Sequence, residues 1–592
     1  MSDQLHQFDR PNSYIGRSVP RPDARRLLEG RGRFVDDLQL PRMLHAAFLR
    51  SPYAHARIRG FDLDDAKAMP GVVAVYTGED FIDQCQPYVG TLTHLTGLRS
   101  APQMPLPADI ARWQGEPLAM VIAHSRAEAE DAVAEIVVDL EPLEAVCDAE
   151  AALAPDAPVI HPDFKSNLAW ERLVDAGDVD AAFAREDVTV VERRFVFGRH
   201  TGVTLESRTC VFDYDPAEDQ LTFWYSGQAP HMMQWILANH LGLEEENVRV
   251  IAHDVGGSFG IKIHTYGDDI ATAIAARLLK RPIKFVADRN ESFLTDIHAR
   301  DQAVTGRMAV TSDGMIAALE IDAITGIGPF SMYPRSSGIE MNQVLNLTGA
   351  PYAIENYRAR GRVVFLNKNM MCQYRAVGHP IAMAVADGLV EEAAVSIGMD
   401  VAEMRRRNLV ADNAYPCTSA SGMKFADLSH HKTLERLVKE MGYKALRKDQ
   451  ALQRERQIYR GIGLVSMVEV TNPSPMFYGV GGAAISAQDG ATVRMDAGGA
   501  LHVSSSITEQ GQGTNTILAQ IAAEGFGVDM DRVKVTTGDT DNVPYGGGTW
   551  ASRGAGIGGE AMLLAAKALR DQVLDVAAVL LQEDVSALDI RA

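Results

Sequence analysis

The sequence has little of several things that would assign it at once. It has five cysteines in 592 residues, Cys85, Cys147, Cys210, Cys372 and Cys417, and no Cys-x-x-Cys pair. That argues against iron–sulfur or structural zinc ligation by this chain alone. An odd set of widely spaced cysteines reads as reduced thiols in a cytoplasmic protein. No apolar run is long enough for a membrane span, and the polar stretch Met1–Arg10 has no apolar signal core. Basic charge is also scarce: 57 Lys and Arg face 78 Asp and Glu, a net charge of −21. This argues against nucleic acid or an anionic membrane as the main partner. The phosphate-loop signatures are missing too. Gly260 and Lys262 are not adjacent, no Ser or Thr follows them, and no Gly-x-Gly-x-x-Gly spacing occurs there.

What is present is a soluble, multidomain composition, with 46% hydrophobic and 23% charged residues. Fifty glycines cluster in loops. Val248–Ala252 reads as a strand, Asp254-Val-Gly-Gly-Ser-Phe-Gly-Ile-Lys262 as a glycine loop, and Asp268–Leu279 as a helix. Glycines at such a turn let a ligand approach the backbone, and a helix start favours an anion. Alone, the loop fits a tight turn as well as a phosphate cradle. The pattern recurs, however. A hairpin over Ala491–Asp496 and Leu501–Ile507 leads to Gly511-Gln512-Gly513 and a helix from Thr514. A strand over Val533–Thr537 leads to Gly546-Gly-Gly548-Thr549 and a helix over Gly558–Leu581. Three such units predict one large anionic ligand held by several loops.

The fold class expected is multidomain α+β. Residues 1–150 form a small α/β unit, with strands over Gly71–Tyr76, Leu118–Ala123 and Ile136–Leu140 and a helix over Ser125–Val133. Residues 151–162 are a Pro- and Ala-rich linker. Residues 163–412 form a second unit with long strands over Asp187–Phe197, Leu221–Tyr225 and Met308–Thr325, and helices over Ala382–Ser396 and Val401–Leu409. The basic run Arg405-Arg406-Arg407 reads as a solvated helix face or a complement to the helix dipole. Residues 413–592 form a third unit, read as incomplete.

Several motifs in order then carry a resemblance. These are Gly30-Arg-Gly-Arg-Phe-Val-Asp-Asp37, Leu44–Arg57, Met69–Val75, Gly115-Glu-Pro117, Gln228-Ala-Pro-His231, Asp254–Lys262, Arg281-Pro282, Tyr374-Arg375, Gly511-Gln-Gly513 and Gly548-Thr-Trp-Ala-Ser-Arg553. The chain resembles the molybdenum hydroxylase large subunits, the xanthine dehydrogenase and aerobic carbon monoxide dehydrogenase family, over nearly its whole length. The resemblance implies a hammerhead-like first domain and two molybdopterin-binding domains. It also implies a molybdenum–molybdopterin cytosine dinucleotide cofactor whose own dithiolene holds the metal, so that no protein side chain ligates it. Separate 2Fe-2S (small) and FAD (medium) partner subunits, assembled as a dimer of heteromers, would take the electrons.

By the same resemblance Gln228 meets an oxygen ligand of the metal. Gly256, Gly257, Ser258, Phe259 and Gly260 approach it through the backbone. Gly511, Gln512, Gly513, Thr549, Ser552 and Arg553 serve the pterin or its pyrophosphate, and Arg375 reaches the active site. Tyr374 and His379 face the substrate, although His379 fits a capped loop histidine equally well. The carbon monoxide enzymes carry a copper-binding cysteine where this chain has Ala376. Cys372 precedes Arg375 by three residues and reads as a small buried hydrophobe, so carbon monoxide oxidation is disfavoured. The organic-substrate relatives have Arg-Gly-Ala-Gly-Arg-Pro-Glu where this chain has Arg-Ala-Val-Gly-His-Pro-Ile381. The family's general-base glutamate lies beyond the Thr549 loop and is not recognised here. Glu560 reads as an acid in a helix's first turn. The function expected is oxidative hydroxylation of an N-heterocycle or aldehyde, with the base supplied by a separate chain. The alternatives are a non-catalytic or truncated cofactor-binding subunit, or a nucleotide-binding protein of another kind.

Overall fold

The computed structural model describes residues 13–473 and 487–590; the stretch Met1–Arg10 lies outside them. Its largest sheet has seven strands and crosses the boundary expected near residue 150. The order runs Val248–Ile251, Gln220–Tyr225, Thr209–Asp215, Ile283–Val286, Leu44–Arg50, Pro117–Ala123, Val72–Thr77. The seam is the parallel pairing of Leu44 with Ile283 and His45 with Lys284. Pro117–Ala123 is buried on both faces and reads as an unbroken apolar run, as a central strand must. Phe212 and Phe223 stack across the sheet with centroids 4.2 Å apart. Each such fully buried ring stabilises the sheet by roughly 1.5–3 kcal/mol. The expected linker 151–162 is pinned in place. The Asn167 amide donates to the carbonyls of Ala152 and Pro158 and accepts from Ile160 N–H.

A second sheet orders Leu168–Ala176, Tyr357–Val364, Ile316–Gly326, Gln302–Thr311, Val188–Phe197. The run expected over Met308–Thr325 is a hairpin, because Ser312-Asp313-Gly314 is turn chemistry and Gly314 has φ +84°. The helix His379–Ser396 covers this sheet, with Val385 and Leu389 fully buried against Val304 and Met308. The arginine run is not uniformly solvated. Arg405 is fully buried, with its guanidinium on Asp387 at 2.7 Å, whereas Arg406 and Arg407 pair with Glu403 on the surface.

The third unit is a three-stranded sheet, Ala491–Met495, Leu501–Ser505, Val533–Thr537, covered by helices Thr514–Phe526 and Gly559–Leu581. The segment from Ser13 reaches across to it. Ser13 Oγ and the Tyr14 and Ile15 N–H groups all donate to the Glu524 carboxylate. The segment from Ser13 is thereby laid against the third unit, and the Arg21 guanidinium donates to the Gly511 carbonyl at 2.8 Å.

Candidate functional site

The three glycine loops meet at one residue. Gln228 lies between the strand Gln220–Tyr225 and the helix Pro230–Leu241, and is 4% exposed. Its Nε2–H donates to the Thr549 carbonyl at 2.6 Å. Its Oε1 accepts the Ser258 hydroxyl and, at 3.1 Å, the Gly260 N–H. Its own carbonyl accepts the Thr549 N–H and the Thr508 hydroxyl, each at 2.9 Å. One glutamine therefore bonds the first loop, Thr508 in the segment that carries the second, and Thr549 of the third. The approach of the third loop requires Gly548: a Cβ there would lie 2.3 Å from the Gln228 carbonyl oxygen.

Around this junction is a cavity of about 1410 Å³, lined by the three loops and the segment Gln373–Val377. Phe259 is in its wall, 44% exposed, with φ +55°, so it is not a core residue. Gly257 before it has φ +95°. Among the described residues nothing accepts from the N–H groups of Gly257, Ser258 or Phe259. A turn of this kind, with left-handed residues and unpaired N–H groups, makes a concavity for an anion or a polarised oxygen. Ala551 and Ser552, also in the wall, have φ +47° and +56°. Arg375 is exposed on the wall and donates its N–H to the Phe259 carbonyl at 2.9 Å, which ties the two segments together. Tyr374 lies beside it, its ring 5.4 Å from the Arg300 guanidinium.

Several expected site residues have other work. The first loop does not sit on a helix start: a short turn, Ile261–Ile263, separates it from the helix Gly267–Leu279. That helix's first turn holds Asp268 on Arg208 instead. At the second loop Gly513 does cap the helix, but an internal anion occupies its N–H groups. Glu509 accepts from Gly511 at 2.8 Å, Gly513 at 3.0 Å and Asn515 at 3.0 Å. The Gln512 side chain is folded back onto Gln510 N–H and the Thr508 carbonyl. The Thr549 hydroxyl is exchanged with Thr508 backbone at 2.8 and 2.9 Å. Arg553 is outside the cavity wall. It is fully buried, paired with Asp489 at 2.5 Å and stacked on Trp550. His379 has both ring nitrogens on backbone: Nδ1 on the Ala376 and Val377 carbonyls, Nε2 accepting from Val470 N–H at 3.0 Å. The ring staples the Arg375 turn, with no nitrogen left for a substrate. Cys372 is buried beside Gln373, and burial pushes its thiol up to about 12.

Sequence reasoning missed the carboxylates that organise the loops. Glu206 holds Gly256 N–H and Lys262; Glu509 holds the second loop. Asp254 takes both guanidinium nitrogens of Arg26 at 2.6 and 2.7 Å and the Arg33 N–H at 2.6 Å. Burial opposes ionisation of Asp254, but these donors outweigh it and hold its pKa low. Glu509 adjoins its loop in sequence, and an acid just before Gly-x-Gly was the available signal. Glu206 and Arg26 are far away in sequence and gave none. Of the cavity carboxylates, Glu469 is exposed and makes no hydrogen bond or ion pair among the described residues.

Comparison with known proteins decides the family. The model for the aldehyde oxidase and xanthine dehydrogenase a/b hammerhead domain matches residues 29–144. The molybdopterin cofactor-binding domain models match 160–409 and 436–592. The nicotine 6-hydroxylase large subunit of Paenarthrobacter nicotinovorans is 33% identical, over 98% of this chain and 71% of that protein. This chain belongs to the molybdenum hydroxylase large subunits. The carbon monoxide dehydrogenase large chain of Hydrogenophaga pseudoflava is 31% identical over 97% of this chain and 72% of its own length. The structure of quinoline 2-oxidoreductase from Pseudomonas putida 86 superposes with a TM-score of 0.91 at 34% identity. That match covers 98% of this chain and 73% of the other. The family chain described here is accordingly a molybdenum oxidoreductase large subunit. Its residues suit the family's cofactor: the unpaired N–H groups at 257–259 and the left-handed turn at 551–552 line one cavity large enough for a pterin. Among the described residues no helix is long and apolar enough to cross a membrane.

Proposed function

We propose that this chain holds a molybdenum–molybdopterin cytosine dinucleotide in the three-loop cavity and hydroxylates a small organic substrate there, an N-heterocycle in preference to an aldehyde. The observation that carries the reading is the junction at Gln228, which joins three separate loops around one cavity. The cofactor supplies the two-electron redox chemistry, and its dithiolene keeps the metal. The chain's residues orient it and shape the pocket: the 257–259 backbone and one unused Gln228 Nε2–H toward the metal end, Ser552 and the Gln512 loop toward the pterin. Arg375 and Tyr374 face the substrate. Phe34, Leu27, Leu205 and Phe259 give the wall an apolar character suited to a flat ring. The similarity to a nicotine hydroxylase and a quinoline oxidoreductase supports an N-heterocycle. Ala376 in place of a cysteine, with Cys372 buried away from the cavity, disfavours carbon monoxide.

In the overall reaction a ring C–H becomes C–OH with oxygen from water, releasing two protons and two electrons. The electrons leave for 2Fe-2S and FAD partner subunits in a cytoplasmic dimer of heteromers. The base comes from a polypeptide outside these residues. In support, Glu206, Asp254 and Glu509 are already committed to loop N–H groups and cations. The second reading is a base in this chain, which the unengaged Glu469 favours. Assaying the co-purified complex with quinoline, pyridine carboxylates and aldehydes, in labelled water with a dye acceptor, tests the proposal. Labelled hydroxylated heterocycle supports it; no turnover of either class by a cofactor-loaded complex sinks it.

A further inference from the structure

One carboxylate closes the first glycine loop at both ends. Glu206 Oε2 accepts the Gly256 N–H at 2.7 Å and the Lys262 ammonium at 2.8 Å. The Glu206 N–H in turn donates to the Gly256 carbonyl at 3.2 Å. This approach needs glycine, since a Cβ on residue 256 would lie 2.4 Å from Glu206 Cβ. The pair is secluded: the Glu206 side chain is 10% exposed and that of Lys262 is 1% exposed. Burial lowers the Lys262 pKa, with Glu206 opposing. Beyond Lys262 the turn is fixed further, because its carbonyl accepts the Tyr225 hydroxyl and the Gln228 N–H. Between the two anchors lie only Gly257 to Ile261, the stretch with Phe259 at φ +55° and the three unpaired N–H groups. A left-handed phenylalanine with unpaired backbone donors in a cavity wall costs free energy, and something must impose it.

We propose that Glu206 is the positioning residue of this site: by accepting the Gly256 N–H, with Lys262 as the cation that offsets its buried charge, it sets the curvature that presents the Gly257, Ser258 and Phe259 N–H groups to the cofactor. The proposal rests on the cofactor reading above. Neutralising the pair while keeping an acceptor for Gly256 should preserve the curvature; removing the acceptor should not.

The test uses the full chain with its co-purifying subunits, as Glu206→Ala and as the double variant Glu206→Gln/Lys262→Met. In the double variant the amide oxygen still accepts from Gly256 and no charge is buried. Glu206→Ala is expected to weaken cofactor retention by about 10- to 100-fold, the scale of losing an orienting partner of a metal site, read as a fall in molybdenum and pterin per chain after dialysis. It should also change the molybdenum(V) resonance of what remains, and the double variant should restore both. Wild-type content and resonance in Glu206→Ala overturn the proposal. So does a double variant as poor as Glu206→Ala, which marks the pair as serving folding alone. An unmutated complex free of molybdenum and pterin contradicts the functional reading instead. Amide exchange at 256–260 then still decides this claim: it must rise in Glu206→Ala and return in the double variant, and no rise overturns it.

Discussion

Gln228→Ala tests how much of the site is one mechanical unit. The substitution removes three side-chain hydrogen bonds, to the Thr549 carbonyl, the Ser258 hydroxyl and the Gly260 N–H. At 4% exposure, water cannot simply replace them. Each contributes a net of about 0.5–1.5 kcal/mol, and a stranded buried partner costs more, so the junction loses about 2–4 kcal/mol. That corresponds to roughly 30- to 1000-fold in the local opening equilibrium. Unfolding of a multidomain chain with several sheets is not two-state, so a global melting point does not isolate the junction. Amide exchange at 254–262, 505–513 and 546–553 in the cofactor-free chain reads the junction directly. All three segments should open together, while the helix His379–Ser396 stays protected. Sequence reasoning alone expects activity to fall far more than stability; the hydrogen bonds predict that both fall. Unchanged exchange in all three segments, with activity lost, would refute the junction and leave Gln228 as a cofactor ligand only.

Other outcomes follow from the same geometry. Arg553→Met should act on stability, since it leaves Asp489 buried without its cation at a cost of about 3–5 kcal/mol; the double variant with Asp489→Leu should recover much of it in chemical denaturation. Burial raises the Glu116 carboxyl to about 8, against the Arg112 N–H that lowers it. The folded state therefore keeps a proton that the unfolded state has lost. Stability should fall as pH rises from 4.5 to about 8, by up to about 1.4 kcal/mol per pH unit, and level off above. Glu116→Gln should flatten this slope in calorimetry, and an unchanged slope would discount the residue. Glu469→Gln should leave turnover within about threefold if the base is supplied in trans, whereas a loss of about 10²-fold or more would place the base in this chain.

The strands and helices that fix the cavity were legible because their patterns are local. Val533–Thr537 alternates, Ser125 caps the helix Arg126–Ala134, and the hairpin before the second loop has its turn at Gly498 and Gly499. The glycine loops were legible for the same reason, and their order along the chain identified the family. Partnership was not legible. Sequence reasoning gave the loops' free N–H groups to a phosphate, yet Glu509 fills the second loop from two residues before Gly511. The family resemblance gives Arg553 to the pterin or its pyrophosphate, a guanidinium being suited to phosphate oxygens. Its counterion, Asp489, is distant in sequence and reaches it only through the fold. The sheet that spans the edge expected near 150 was not legible for a related reason: a parallel pairing such as Leu44 with Ile283 joins residues that no local pattern connects.

The central claim is that one cavity, built by three loops around Gln228, holds a molybdenum–pterin cofactor. Metal and pterin analysis of the purified complex, produced in a host that makes the cofactor, tests it most directly. The account predicts one molybdenum and one pterin per chain, both lost in Gly548→Ala, whose Cβ would collide with the Gln228 carbonyl. A well-folded complex with neither molybdenum nor pterin contradicts it, as does full occupancy in Gly548→Ala.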